Sequence, residues 1–119
     1  MPAKDRHIAP RDHYINTLEA IVLDYYDWIS NANDDTEYCP IIDKERGYFL
    51  LNGISWNGEF RSDRTILFVR LKNDKIWIET DETKRGITPD LLQAGIPHTA
   101  IVLGFLPPSK RPLSEFAIA

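Results

Sequence analysis

The chain has 119 residues, 43% of them hydrophobic and 27% charged, which is the composition of an ordinary globular protein, long enough for one core that needs no metal or disulfide. Its formal net charge of -4 supplies no basic stripe to match a phosphate backbone, and no window approaches the roughly 20 apolar residues of a membrane span. A cytoplasmic protein is expected, and the single cysteine, Cys39, reads as a small buried hydrophobe rather than a nucleophile or metal ligand.

Tyr14, Leu18, Ile21, Val22, Tyr25, Trp28 and Ile29 recur at helical spacing and predict a long amphipathic helix over residues 11–31. Asp12 is placed to cap its start, and Asn31 or Asn33 to stop it. Residues 31–36 are loop by composition. Strands are predicted at 37–43 and 47–56, divided by the charged turn Lys44-Glu45-Arg46. A third runs over 60–72, with an irregularity near Ser62-Asp63. Asn57-Gly58 offers the two positive-φ positions of a type I′ hairpin, and Asn73-Asp74 makes the next two-residue turn.

That second turn fixes a register: Lys72 with Lys75, Leu71 with Ile76, Arg70 with Trp77, Val69 with Ile78 and Phe68 with Glu79. Leu71, Ile76, Val69 and Ile78 then form the core face. Arg70 and Trp77 meet on the other, where a cation over an exposed indole gives about 0.5–1 kcal/mol. Phe68 and Ile66 make this outer face unusually apolar. Either a second layer such as the C-terminal segment covers it, or it is a partner surface, with a symmetric homodimer as the expected form.

Beyond a loop over 81–86, Thr88-Pro89-Asp90 starts a short helix with Thr88 as cap, and Gly95 ends it. Residues 101–105 are a buried strand or a turn of helix; periodicity does not decide between them. With no repeat or linker, the chain is read as one α+β domain over 1–119. A long N-terminal helix packs on an antiparallel four-stranded meander, followed by a short helix and a C-terminal segment.

Catalytic candidates are weak. His7 and His13 do not share a helix face at ligand spacing and His98 lies in a loop, so no zinc site is expected. Glu82-Thr83-Lys84 matches half of a nuclease motif but falls in a loop. Glu79 and Asp81, two apart at a strand end, face the same side at strand period, as acid–base chemistry or a divalent ion would require; Lys84 and Arg85 nearby make charge balance the stronger reading. No nucleophile elbow, phosphate loop or dinucleotide fingerprint is present. The sequence therefore predicts no enzyme, no cofactor and no metal.

The most informative residues lie in the last third: Lys75-Ile76-Trp77-Ile78-Glu79, Asp81, Thr83, Gly86-Ile87, Leu91, Gly95-Ile96-Pro97, Ile101-Val102-Leu103-Gly104-Phe105, Pro108, Arg111 and Ser114-Glu115-Phe116-Ala117-Ile118-Ala119. In order and spacing they resemble the ending of the XisI family of cyanobacterial excision-controlling factors. Asp43-Lys44-Glu45-Arg46, Trp56 and Lys72-Asn73-Asp74 extend the resemblance over nearly the whole chain. Tyr48-Phe49, Phe68, Glu79, Lys84, Ala100 and Leu113 depart from the family pattern, which puts any shared polar role of those positions in doubt.

The resemblance implies an accessory factor. It would act with a partner called XisH and a separate recombinase in excising a DNA element from a nitrogen-fixation gene during heterocyst development. An XisH-like protein is accordingly the expected partner, with Phe68, Arg70, Trp77, Lys84, Arg85, Lys110 and Arg111 as candidate interaction residues. The alternative is a small DNA-binding directionality factor that gathers Arg61, Arg64, Lys84, Arg85, Lys110 and Arg111 on one face.

Overall fold

The computed structural model describes residues 10–32 and 35–119, so His7 and Asn33 lie outside the described residues. Pro10, whose missing N–H costs nothing in a first turn, opens helix α1 (Pro10–Ser30). Asp12 sits inside that turn rather than ahead of it, and its charge there suits the helix dipole. Asn31 donates from Nδ2 to the Asp27 carbonyl at 2.9 Å, satisfying an end group of the helix. Ile15, Leu18 and Val22 are its buried residues. Trp28 lies at the edge of the predicted apolar stripe and is 62% exposed.

Four antiparallel strands follow: β1 (Glu37–Asp43), β2 (Tyr48–Asn57), β3 (Phe60–Lys72) and β4 (Lys75–Asp81). Between β1 and β2, Asp43 accepts the Arg46 backbone amide at 2.9 Å and its guanidinium at 3.1 Å. Gly47 closes the turn at φ 77°, and a Cβ there would stand 3.0 Å from that of Leu71.

The β2–β3 turn is corrected by one residue. Asn57 pairs with Phe60, so the loop is Gly58-Glu59, and only Gly58 has positive φ (66°). Glycine at the first loop position with φ above zero is the type II′ pattern rather than type I′. The predicted irregularity also moves: the register shifts between Leu51 and Asn52, which leaves Ile66 unpaired.

Asn73 and Asp74 both have positive φ (53° and 62°), which makes the type I′ turn. The predicted pairs hold from Lys72–Lys75 to Val69–Ile78. A bulge then intervenes, so that Phe68 pairs with Thr80 and not with Glu79. Of the two readings open for residues 101–105, the strand is the one that forms, and the sheet has five strands rather than four. β5 (Ile101–Leu103) joins β4 in parallel, Ile76 opposite Ile101, extending the meander to five strands in the order β1-β2-β3-β4-β5. Helix α2 (Thr88–Gln93) lies in the crossover that such a pair requires. Ile87 holds the N-cap position and Thr88 makes no capping bond; Gly95, at φ 90°, ends the helix.

Leu18 and Val22 of α1 pack on Phe49, Leu51, Val69, Ile76, Ile78 and Ile101 of the sheet, with Ile87 at the N-cap of α2 and Leu91 within it. Each fully buried aliphatic of this kind contributes about 1.5–3 kcal/mol. By alternation Tyr48, Leu50, Phe68, Arg70, Trp77 and Val102 lie on the opposite face. Ile66 does not join them. Its Cδ1 lies 3.4 Å from the Cβ position of Gly53, which shares the core side with Leu51.

The β2–β3 hairpin outruns its neighbours. β1 stops at Glu37 opposite Ile54, and β4 at Asp81 opposite Leu67. At its tip Trp56 is 61% and Phe60 80% exposed.

Candidate functional site: the outer sheet face and the loop after β4

Trp77 is 6% exposed. Its Nε1 donates to the Lys72 carbonyl at 3.1 Å, and two cations lie over its ring: Lys72 Nζ at 4.7 Å and Arg111 Cζ at 5.2 Å from the centroid. Arg70, predicted to be the cation on this indole, instead donates from Nε to Glu79 Oε2 at 2.7 Å. A carboxylate within reach attracts a guanidinium more strongly than a ring quadrupole does, and the bulge delivers Glu79 to it.

The cover comes from the C-terminal segment. Arg111 donates to the carbonyls of Leu106 (3.1 Å) and Gly104 (3.4 Å), fixing the proline turn while its guanidinium lies on Trp77. The Ser114 hydroxyl donates to the Arg111 carbonyl and accepts the Phe116 amide. Ala117 N donates to Ile101 O at 2.8 Å, and the Phe116 ring stacks on His98 at 5.3 Å. Of the two readings of the outer face, the second layer describes its β4–β5 end. The predicted dimer patch of Phe68, Trp77 and Ile66 is thus not a continuous exposed surface, because Trp77 and Ile66 are buried. Phe68 is half-buried and meets Tyr48 edge-on at 6.4 Å.

Glu79 and Asp81 do not form a pair. The bulge turns them to different tasks, Glu79 to Arg70 and Asp81 to the loop that follows. Asp81 Oδ1 accepts the Thr83 amide at 2.9 Å and also its hydroxyl, while Oδ2 accepts the Ile87 amide at 2.8 Å. Gly86, at φ 77°, brings the loop back close to the carboxylate. Sequence reasoning overlooked this clamp, although an aspartate two residues before a threonine, with a glycine to follow, is the signal of an Asx turn. Burial, and then the charge of Asp81, raises the Tyr25 phenol above its ordinary value.

Lys84 and Arg85 are separated from the outer-face group. They line a groove of about 550 Å³ with Ile21, Tyr25 and Trp28 of α1, on the core-facing side of the sheet. Arg85 is tied to Asp90 at 2.6 Å. Lys110 is exposed on the C-terminal turn. The structure therefore brings together Phe68, Arg70, Trp77 and Arg111, with Lys110 beside Arg111 in sequence, and not Lys84 or Arg85. The basic residues of the DNA-binding alternative are largely engaged within the chain: Arg61 with Asp63 at 3.4 Å, Arg64 with Glu82 at 3.4 Å, Arg85 with Asp90, and Arg111 on Trp77. Among the described residues, no three His, Cys, Asp or Glu side chains converge as metal ligands do, and no helix is long and apolar enough to cross a membrane.

A helix on one face of a five-stranded sheet, a lone parallel edge strand and a C-terminal clasp over the other face define an XisI-like α+β domain. The XisI protein family model matches residues 9–118, and the chain belongs to that family. The crystal structure of fdxN element excision controlling factor XisI from Anabaena variabilis ATCC 29413 is 44% identical, covers 93% of this chain and 100% of its own, and superposes with a TM-score of 0.83. A XisI-like protein from the same organism is 28% identical over 89% of this chain and 96% of its own, with a TM-score of 0.80. None of the curated proteins matches the chain.

Proposed function

We propose that this chain is a controlling factor for the excision of a DNA element, acting in the cytoplasm through an XisH-like protein partner and not by chemistry or DNA contact of its own. The observation that carries the reading is the likeness, along nearly the whole chain, to a protein named as an excision controlling factor. The partner half is supported by what the polar groups already do. Asp81 accepts three donors and Glu79 holds Arg70, so neither carboxylate stands ready to bind a metal or move a proton.

The test is complementation. In a host that excises such an element and lacks its own XisI gene, this chain should restore excision, and it should co-elute with a co-expressed XisH-like protein. Glu79→Gln should excise as well as wild type, and so should Asp81→Asn wherever the variant remains folded. Failure of the folded wild-type chain to restore excision or to bind that partner overturns the proposal. Loss of excision in either variant at unchanged thermal stability would instead assign the carboxylates a direct role.

A further inference from the structure

The β2–β3 hairpin beyond Ile54 and Leu67 is a two-stranded ribbon with no third strand among the described residues. Isolated two-stranded hairpins are marginal in water, and this one also exposes Trp56 and Phe60. Its outer edge belongs to β3. Because the Gly58-Glu59 loop is flanked by Asn57 and Phe60, those two residues exchange main-chain hydrogen bonds, as do Ser55 with Ser62 and Gly53 with Arg64. Arg61 and Asp63 therefore turn their N–H and C=O groups outward, away from β2.

We propose that this edge pairs antiparallel with the same edge of a second copy of the chain, about a two-fold axis through Ser62. Main-chain geometry allows few registers, since outward-facing residues must meet outward-facing ones. Centring on Asp63 sets Asp63 against its own copy, and centring on Arg61 does the same for the arginines. Centring on Ser62 sets each Arg61 opposite the partner copy's Asp63, with both of their main-chain bonds exchanged. On the other face it sets each Phe60 opposite an Arg64, a cation beside an exposed ring. Charge complementarity thus selects one register. The same charges oppose indiscriminate strand addition, the common role of charged residues on an edge.

The slot also has a fitting length. Glu82 N donates to Ile66 O at 2.8 Å, closing the edge just past Thr65. A partner ribbon laid along 60–65 brings its Gly58-Glu59 turn to that stop. Pairing converts two ribbons into one four-stranded sheet, and a self-complementary patch is what a two-fold dimer requires.

Sedimentation of the full chain tests this. Wild type should be dimeric at high micromolar concentration. Arg61→Asp sets two carboxylates opposite each other, and Asp63→Arg two guanidiniums, so each should weaken the dimer by about tenfold or more. The double swap R61D/D63R should restore it. Because Asp63 also accepts from Asn52 at 2.5 Å, amide exchange supplies a readout independent of the variants. In the wild type, the amides of Arg61 and Asp63 should gain protection as concentration rises. A monomeric wild type, a double swap no tighter than the single variants, or amides at 61 and 63 unprotected in a dimer would each overturn the proposal.

Discussion

Asp81 shows at the scale of one residue how a carboxylate of the family-like ending is engaged in holding a loop. A single carboxylate holds Thr83 through its amide and hydroxyl and Ile87 through its amide. Asp81→Ala should lower the free energy of unfolding by about 1–3 kcal/mol, because it strands part-buried donors, and Thr83→Ala by less. Denaturant midpoints measure both; an Asp81→Ala midpoint equal to wild type contradicts the clamp. Gly104 has a comparable logic, since a Cβ there would stand 2.5 Å from Glu79 Oε1. Gly104→Ala should destabilise, and Glu79→Ala in the same chain should relieve part of that loss. At Asp43 the cause is hydrogen bonding, first from the Arg46 amide, which holds the carboxyl below its usual 3.8. A depressed folded pKa means the turn's stabilisation is present above the ordinary value and is lost as pH falls through the lower one. Chemical-shift titration should therefore find Asp43 still ionised where an unperturbed aspartate is half-protonated.

Among the elements, the clasp and the β4 bulge decide the outer face. Trp77 is buried while Trp28 and Trp56 are exposed, so a Trp28→Phe/Trp56→Phe background reports on the clasp alone. There, Arg111→Ala should shift Trp77 emission to the red and raise its quenching by acrylamide, because the guanidinium and the turn it ties would leave the indole. Unchanged emission would show that Arg111 is not what seals it. The same elements mark how far the sequence could be read. Helix period, turn residues and side-chain alternation are local, and they placed α1, four strands and the register from Lys72–Lys75 to Val69–Ile78. A bulge is invisible to alternation, so Glu79 was paired with Phe68 and read as facing with Asp81. β5 spans only Ile101–Leu103 and gains its strand character from β4, a contact made across α2. Arg111 reaches Trp77 across 34 positions of chain, and no periodicity records that. Arg70 was matched to the indole because its register was legible and the competing carboxylate was not.

For the whole molecule the question is what a net charge of -4 permits. Useful affinity for duplex DNA takes about six to ten phosphate contacts, each releasing counterions, which gives binding its steep salt dependence. Here Arg61, Arg64 and Arg85 already face Asp63, Glu82 and Asp90, and Arg111 is spent on Trp77. Exposed pairs of this sort are individually worth about 0–1 kcal/mol, so phosphate could displace the acids locally, but the acids would remain as a repulsive background. Lys84 and Lys110 stand on different elements, one beside the α1 groove and one on the C-terminal turn. The purified chain should therefore bind duplex DNA no better than a generic acidic protein, at low and at moderate salt alike. A gel shift repeated at two salt concentrations checks this. Sub-micromolar, salt-sensitive binding to a defined site by the chain alone would overturn the proposed action through a protein partner and favour a directionality factor that contacts the element itself.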